Sequence, residues 1–201
     1  LSRAYNSTLR SLLPELKNHD LSDFIINQFL SLEKNRPYLD TRSSLSLNTE
    51  QYKIYSTLCN VWGKSNEGKY PYFFLTGSAG TGKTFMLLQI ITFLQSKKKI
   101  YLLMAFTGVA AQNIGGKTIH SCLKIRFQDG NYETLIHINN QDESDLKKIE
   151  AILIDEISMV DADLFTFLSN TFARIHKNNL IFGGVPILVV GDLAQLPPIR
   201  P

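Results

Sequence analysis

The segment from Gly77 to Thr84 reads G-x-x-x-x-G-K-T, a motif that binds phosphate where it joins a strand to a helix. Its glycines let backbone N–H groups approach a phosphate chain, and the N-terminus of the following helix adds a favourable dipole. In this motif Lys83 neutralises the β- and γ-phosphates, and the hydroxyl of Thr84 is a ligand for Mg²⁺. The alternative is a glycine-rich turn that only joins the two elements. The predicted phosphate-binding residues are Gly77, Ser78, Ala79, Gly80, Thr81, Gly82, Lys83 and Thr84.

Two acids, Asp155 and Glu156, follow the apolar run Ile152–Ile154. Ligands of parallel α/β sheets bind at the carboxyl ends of the strands, so we expect both acids near the phosphate loop. Asp155 is predicted to hold Mg²⁺ through the water shell of the ion. Glu156 is predicted to orient and deprotonate the water that attacks the γ-phosphate. A solvated acidic pair at the end of a strand is the alternative.

Gln195 follows an apolar run that ends at Gly191, so it is a third polar group at the same predicted edge. An amide there can donate to a phosphoryl oxygen or hold the attacking water. On its own, a glutamine in a turn is usually only solvated. Because Gln195 is the third polar group at one edge, we predict direct parts in catalysis for Lys83, Glu156 and Gln195.

A further cluster follows the apolar run Ile100–Ala105 and extends to Ser121. It combines small residues, hydroxyls, amides and the lone aromatic Phe106, which suits a surface that approaches a nucleic-acid backbone and lets a base stack. Residue types alone do not decide this, because a lone histidine such as His120 is more often a hydrogen-bonded structural residue. The run Lys97–Lys99 is interpreted as a solvated helix end and turn.

The elements that position these groups alternate between short apolar runs and segments of helical period, a pattern typical of an α/β fold with a parallel sheet. The predicted strands are Tyr72–Thr76, Ile100–Ala105, Ala151–Asp155 and Pro186–Gly191. The predicted crossover helices are Thr84–Gln95 and Asp163–Lys177. The polar stretch Asp129–Asp145 is predicted to be an exposed excursion rather than core.

Residues 1–47 differ from the rest, with helical stretches at Leu9–Leu16 and Leu21–Leu32 followed by a polar connector. We predict that they form a helical accessory segment and linker, and that residues 48–201 form the main domain.

The 201 residues carry a net charge of +3 and are 44% hydrophobic, which excludes wholesale disorder and collagen-like repetition. The longest apolar run is too short for a membrane helix. Two cysteines, Cys59 and Cys122, are too few for a disulfide scaffold and favour an intracellular setting.

Taken in order, these blocks resemble the first motor domain of superfamily 1 helicases, and in particular the Pif1-like group. Ile154–Asp161 carries the group's signature around the metal motif, Thr107–Ser121 resembles its DNA-contacting motifs, and Gly191–Pro198 resembles its third motif. The resemblance covers residues 47–201 and implies the RecA-like P-loop NTPase fold, a parallel sheet flanked by helices. Leu47–Gln51 resembles the group's N-terminal element, in which Gln51 would read the adenine edge.

The resemblance implies ATP and Mg²⁺ as cofactors, and translocation along single-stranded DNA in the 5′ to 3′ direction. The DNA contacts carried over are Phe106, Thr107, Gly108, Thr118 and His120. A second motor domain, whose arginines complete the ATP site, is expected in cis after Pro201, so the fragment alone is expected to be nearly inactive. The resemblance also implies DNA repair, recombination and telomere maintenance, in the nucleus or in mitochondria.

Two other functions fit the residues. One is a nucleotide-binding module without motor activity, such as a truncated copy in a mobile element of the Helitron type. The other is a P-loop phosphotransferase, in which the acidic pair would serve a small acceptor. Such an enzyme usually adds a lid with several arginines, and no segment of this sequence concentrates them.

Overall fold

The structure is a computed structural model that describes residues 47–63, 72–134, 140–195 and 198. The stretches Leu9–Leu16 and Leu21–Leu32, and with them the predicted accessory segment, lie outside the described residues. The strands, helices and contacts of the fold are those of the described residues.

The strands, in chain order, are β1 (Tyr72–Thr76), β2 (Tyr101–Ala105), β3 (Lys117–Thr118), β4 (Ile125–Gln128), β5 (Asn131–Thr134), β6 (Ala151–Asp155) and β7 (Ile187–Gly191). Five of them form a sheet in the order β1-β7-β6-β2-β3, and every neighbouring pair in it is parallel. All five strands therefore begin at one edge, called the amino edge below, and end at the opposite, carboxyl edge. The remaining two, β4 and β5, form an antiparallel hairpin.

The helices are α1 (Thr49–Gly63), α2 (Lys83–Ser96), α3 (Gly108–Ile114), α4 (Ile119–Cys122), α5 (Asn140–Lys147) and α6 (Ala162–Ile175). Short 3₁₀ turns lie at Ile157–Met159 and Ile181–Gly184. Because α2, α5 and α6 each lead directly into a strand of the parallel sheet, all three end at the amino edge.

Two apolar clusters cover the two faces of the sheet. Successive side chains of a strand point to opposite faces, so Leu153 and Leu188 pack with α1, α2 and α3, whereas Ile152 and Ile187 pack with α5 and α6. A strand buried on both faces is a continuous apolar run, as Ala151–Ile154 is. This confirms the predicted α/β architecture, a parallel sheet flanked by helices.

The predicted strands Tyr72–Thr76 and Ala151–Asp155 are confirmed to the residue. The other two begin one residue later than predicted, at Tyr101 and Ile187. The predicted helix Asp163–Lys177 is wrong at its end, because the chain leaves the helix after Ile175 and Lys177 takes a left-handed conformation with φ 54°.

The expectation for Asp129–Asp145 is wrong in part, since this stretch contributes β5 and α5. Asp129 and Gly130 both have positive φ, as the two central residues of a tight hairpin turn require, and an Asp-Gly pair is the sequence signal for it. Tyr132 packs against the core, and its ring lies 5.9 Å from that of Phe167. The polar composition arises because the other face of the hairpin is exposed.

Candidate functional site

The phosphate loop connects β1 to α2 at the carboxyl edge. Gly80 and Gly82 have φ of 78° and 83°, a left-handed conformation that L side chains rarely adopt. A Cβ at Gly77 would lie 2.8 Å from Thr81 Oγ1, which is too close for a real contact. The positive φ favours glycine at Gly80 and Gly82, and a side chain at Gly77 would force the Thr81 side chain to move.

Lys83 opens α2, and its ammonium is held at the loop. Lys83 Nζ donates to the carbonyl oxygens of Gly77, at 2.7 Å, and Ser78, at 3.0 Å. Thr84 lies beside it in the first turn of the same helix and is exposed. The predicted phosphate-binding residues thus form one continuous loop that presents an ammonium and a hydroxyl.

Asp155 ends β6 at the same edge and is 7% exposed. Its Oδ1 accepts a hydrogen bond of 2.9 Å from the backbone N–H of Glu156. Burial raises the pKa of the Asp155 carboxyl and the charge of Glu156 adds to this, while the Glu156 N–H and the Lys83 ammonium act to lower the pKa. Strands β1 and β6 both pair with β7 in parallel, so the loop after β1 and the acidic pair, which lie 72 residues apart in sequence, are brought to the same edge of the sheet.

Glu156 adopts a left-handed backbone conformation, φ 57° and ψ 44°, at the start of the Ile157–Met159 turn. For a residue with a side chain this conformation costs about 1 kcal/mol. The turn packs on the end of β7, because a Cβ at Gly191 would lie 2.8 Å from Ile157 Cγ2 and 3.0 Å from the Ile157 nitrogen. The strained residue is thus held from two sides, by β6 and by Gly191. The residue types in the sequence do not predict this close contact between Gly191 and the turn.

Gln195 lies in the turn that follows β7, the strand between β1 and β6 in the sheet. Gln195 Nε2 donates to Asp192 Oδ2 at 3.1 Å, and the Ala194 N–H donates to Asp192 Oδ1 at 3.0 Å. Asp192 therefore orients the amide of Gln195, a role that the sequence reasoning did not assign. Gln195 is exposed, and its carbonyl oxygen and second N–H stay available to a ligand.

Gln51, in the first turn of α1, connects that helix to the phosphate loop. The backbone N–H of Asn48 donates to Gln51 Oε1 at 3.1 Å, and the Gln51 N–H donates to Asn48 Oδ1 at 2.9 Å, which is a reciprocal capping box. Gln51 Nε2 also donates to the carbonyl oxygen of Thr81 at 3.2 Å. One N–H and one oxygen lone pair remain, the pair that the N6 and N7 edge of adenine requires.

The donor set at this edge suits Mg²⁺. No group of three or more His, Cys, Asp or Glu residues that could hold a metal occurs among the described residues. Mg²⁺ usually takes one or two protein oxygens, with water and phosphate completing its shell, so the Thr84 hydroxyl and the Asp155 carboxylate are a sufficient protein contribution.

The five predicted DNA contacts lie together where β2 and β3 end. The pairing of Ala105 with Thr118 brings Phe106 beside His120, whose rings meet edge to face at a centroid distance of 6.0 Å. Thr107 caps α3 by accepting from Ala110, and Thr118 caps α4 by accepting from Ser121. Both hydroxyls keep an O–H donor, and Gly108 is exposed.

In the part of the chain that the structure describes, no helix has the length and apolarity to cross a bilayer.

Comparison with known proteins gives consistent matches. The family model for PIF1-like helicases matches residues 46–201. The chain is 41% identical over 130 residues to the ATP-dependent DNA helicase PIF1 of Candida albicans, covering 63% of this chain and 14% of that protein. It is 36% identical over 129 residues to the ATP-dependent DNA helicase Pif1 of Bdellovibrio bacteriovorus, covering 63% and 29%. The chain thus spans less than a third of the length of these relatives.

Two solved structures share the fold. The Pif1 helicase from Candida albicans superposes with a TM-score of 0.65 at 34% identity, and Bacteroides Pif1 in complex with ADP-AlF3 and ssDNA superposes with 0.63 at 31% identity. Each comparison covers 77% of this chain and 34% of the other. These similarities confirm the RecA-like α/β fold. With the family match over residues 46–201, they show that the chain belongs to the PIF1-like helicase family.

Proposed function

We propose that this chain binds Mg-ATP and single-stranded DNA as the nucleotide-binding domain of an ATP-dependent DNA helicase that moves 5′ to 3′. The observation that carries the proposal is that the phosphate loop after β1 and Asp155 at the end of β6 lie at one carboxyl edge of the parallel sheet, where only β7 separates the two strands. Family membership favours this function over a phosphotransferase.

Each residue of the edge has a defined part. Lys83 exchanges the carbonyl oxygens of Gly77 and Ser78 for phosphate oxygens, which it binds more strongly because they are charged. Thr84 and Asp155 hold Mg²⁺, and the ion when bound neutralises charge on the phosphates. Glu156 accepts the proton of the attacking water, and Gln195, oriented by Asp192, holds that water or a γ-phosphate oxygen.

Adenine recognition is assigned to Gln51, whose amide already contacts the phosphate loop at Thr81. The Gln51 amide would then contact both the adenine base and the phosphate loop. Binding of adenine would therefore affect the loop through the hydrogen bond between Gln51 and Thr81.

Single-stranded DNA is assigned to the surface formed by Phe106, Thr107, Gly108, Thr118 and His120. A Bacteroides Pif1 of the same fold binds ssDNA, which supports the assignment. The two aromatic rings offer stacking surfaces, worth about 1 to 3 kcal/mol per base, and the threonine hydroxyls can donate to phosphate.

Full turnover is assigned to a longer polypeptide in which a second motor domain supplies an arginine to the phosphates, an effect worth about 10³ to 10⁵ in rate. Among the described residues, Arg126 lies on β4 and Arg174 in the last turn of α6, and neither belongs to the phosphate loop or the acidic turn. DNA repair, recombination and telomere maintenance in the nucleus or mitochondria are the roles that this activity would serve. A copy within a mobile element that binds nucleotide without motor activity is the second candidate.

The test is calorimetric titration of the chain with a magnesium complex of a non-hydrolysable ATP analogue. We expect Lys83→Ala to weaken binding by at least tenfold and Glu156→Gln to bind within twofold of wild type. Lys53→Ala, which removes an exposed lysine from α1, is the matched control and should bind as wild type. Equal loss in the Lys83 and Glu156 variants would contradict the assigned roles, and no binding by wild type would contradict the proposal.

A further inference from the structure

The amino edge of the sheet, opposite the nucleotide site, carries a concentration of positive charge. Seven cationic side chains lie on the helix ends and turns that lead into β2, β6 and β7. Lys97 lies over the Phe93 ring, 5.9 Å from its centroid, and is left aside; the other six are Lys98, Lys99, Lys147, Lys148, Arg174 and Lys177. We call this set the basic edge. Asp145 and Glu150 are the acids in the same segments. Six cations and two carboxylates leave a formal charge of +4, more than the +3 of the whole chain.

Contacts show that the basic edge is one surface. Lys99 Nζ pairs with Glu150 Oε1 at 3.1 Å, and the Glu150 N–H donates to the Ile100 carbonyl at 2.7 Å, which joins the starts of β2 and β6. Leu146, next to Lys147 at the end of α5, belongs to the same buried cluster as Phe172 and Ile175 of the last turns of α6. Since neighbouring strands are about 4.8 Å apart, β2, β6 and β7 bring these segments within about 10 Å across the sheet.

Most of this charge is not neutralised locally. The ion pairs at the edge are those of Lys99 with Glu150 and Lys148 with Asp145. Among the residues that the structure describes, Lys98, Lys147, Arg174 and Lys177 form no ion pair, and all four are exposed. Cations at helix C-termini are favoured by the helix dipole, but each end offers only about half a negative charge.

Lys98 and Lys177 occupy helix-terminal positions at which glycine is the usual residue. Both α2 and α6 end in a Schellman motif. The Lys98 N–H donates to the Gln95 carbonyl and the Lys177 N–H to the Arg174 carbonyl. The N–H groups of Lys99 and Asn178 donate to the carbonyls of Leu94 and Ala173. The left-handed position of this motif is usually glycine. Lys98 and Lys177 occupy it with φ of 54° each.

Helix α3 of the same chain has the usual residue, glycine, at the left-handed position after its end. It ends in the same hydrogen-bond pattern with Gly115 at the left-handed position, φ 71°. Helices α2 and α6, which both end at the amino edge, thus carry a lysine in the left-handed conformation where α3 carries glycine. Strain of this kind is retained where the side chain has a use.

We propose that the basic edge is a second nucleic-acid contact of this chain, which binds the phosphate backbone of a DNA duplex. The proposal rests on the proposed function, since a protein that acts on DNA meets duplex as well as single strand. Duplex is favoured over single strand because, among the described residues, the exposed apolar side chains at this edge are aliphatic, such as Ile100, whereas the rings of Tyr72 and Tyr101 are half-buried. Flexible lysines act as point charges and suit sequence-independent phosphate contact.

The test measures binding of a fluorescent blunt 20-base-pair duplex to the chain by anisotropy over a range of salt concentrations. The variant Lys98→Gly/Lys147→Ala/Lys177→Gly is expected to bind duplex about tenfold more weakly at 0.1 M salt. Its slope of log affinity against log salt should be smaller by about 2 to 3, since each phosphate contact contributes about 0.9. Lys53→Ala, the control for removal of an exposed lysine elsewhere, should bind within twofold of wild type.

Two further measurements show whether weaker duplex binding comes from unfolding of the protein or from a general loss of positive charge. The double variant Lys98→Gly/Lys177→Gly should unfold at a higher temperature than wild type, because glycine relieves the left-handed strain, while binding duplex more weakly. Affinity of the triple variant for oligo(dT) and for the magnesium complex of an ATP analogue should stay within twofold of wild type.

Several results would overturn the proposal: unchanged duplex affinity in the triple variant, no duplex binding by wild type at low salt, or an equal loss of oligo(dT) affinity. Retention of wild type, but not the triple variant, on phosphatidylserine vesicles with no duplex binding would assign the basic edge to a membrane instead. Loss of duplex binding in the triple variant, in a protein whose wild type binds neither oligo(dT) nor nucleotide, would contradict the proposed function and leave the basic edge as a duplex contact.

Discussion

The hydroxyl of Tyr132 donates a hydrogen bond of 2.6 Å to Asp161 Oδ2, while Asp161 Oδ1 accepts from the N–H of Leu164. One carboxylate therefore caps α6 and fixes the β4–β5 hairpin to the segment that begins at Glu156. Burial, followed by the hydrogen bond to Asp161, raises the pKa of the Tyr132 hydroxyl, so it remains a donor at ordinary pH. The hydrogen bond between Tyr132 and Asp161 thus connects the hairpin to the segment that follows the acidic pair.

Removal of this hydroxyl should destabilise the chain measurably. Tyr132→Phe keeps the ring contacts and loses a hydrogen bond to a charged group, so we expect the free energy of unfolding to fall by about 1 to 2 kcal/mol. Urea denaturation measures this. Tyr101→Phe is the matched control, because the Tyr101 hydroxyl accepts an exposed hydrogen bond from Gln95 and its loss should change stability by less than about 0.5 kcal/mol. Equal effects of the two substitutions would show that the contact with Asp161 adds nothing.

Gly191→Ala should disturb the turn that begins at Glu156. The new methyl group would lie 3.0 Å from the backbone nitrogen of Ile157, which cannot move without shifting the turn. We expect a loss of about 1 to 3 kcal/mol in unfolding free energy, as for other overpacked sites. Gly108→Ala is the control, because no atom lies within 4 Å of the added Cβ there. A stability of Gly191→Ala equal to that of Gly108→Ala would contradict the close packing of β7 on the turn.

Stability should fall as the pH decreases from 7.5 to 5.5, in part because of His176. Burial, and to a smaller extent Lys147, lowers the pKa of His176. Below the ordinary histidine pKa of about 6.5 the unfolded chain binds a proton that the folded chain does not, so acid favours unfolding until the folded pKa is reached. His176→Gln should lose less stability over this range than wild type in urea denaturation at the two pH values. An identical pH dependence would place the responsible group elsewhere.

The two hydrogen-bonding roles of Gln51 can be separated by substitution. Gln51→Glu keeps an oxygen that accepts from Asn48 but loses the donor to the Thr81 carbonyl and to adenine. We expect nearly unchanged stability and at least tenfold weaker binding of a magnesium complex of an ATP analogue. Asn48→Ala, which removes only the cap, should lower stability by about 1 kcal/mol and leave nucleotide affinity unchanged. Wild-type nucleotide affinity in Gln51→Glu would mean that Gln51 is only a structural residue of α1.

The parts of the fold that the sequence predicts are those set by local signals. The buried strands β1 and β6 are apolar runs bounded by turn residues, and the phosphate loop needs glycines where φ is positive. The end of α6 was placed two residues too late because a lysine, not a glycine, occupies its left-handed position at Lys177. The hairpin was missed although Asp129-Gly130 is a turn signal, because the surrounding residues are polar.

The parts of the site that the sequence does not predict depend on contacts between distant segments. The bond between Gln51 and Thr81 spans 30 residues, and that between Tyr132 and Asp161 spans 29. Gly191 has no special φ, and its need to be glycine comes from the turn after β6 packing on it. Such relationships follow from the packing of strands and loops in three dimensions, which no spacing along the chain encodes.

The central claim, that a magnesium triphosphate binds between the phosphate loop and Asp155, is tested most directly by a crystal structure of the chain with magnesium and a non-hydrolysable ATP analogue. We predict Lys83 Nζ within hydrogen-bonding distance of the γ-phosphate, released from the carbonyl oxygens of Gly77 and Ser78, with Mg²⁺ bound to the Thr84 hydroxyl. A nucleotide bound elsewhere, or a Lys83 ammonium still on those two carbonyl oxygens with the nucleotide present, would contradict the claim.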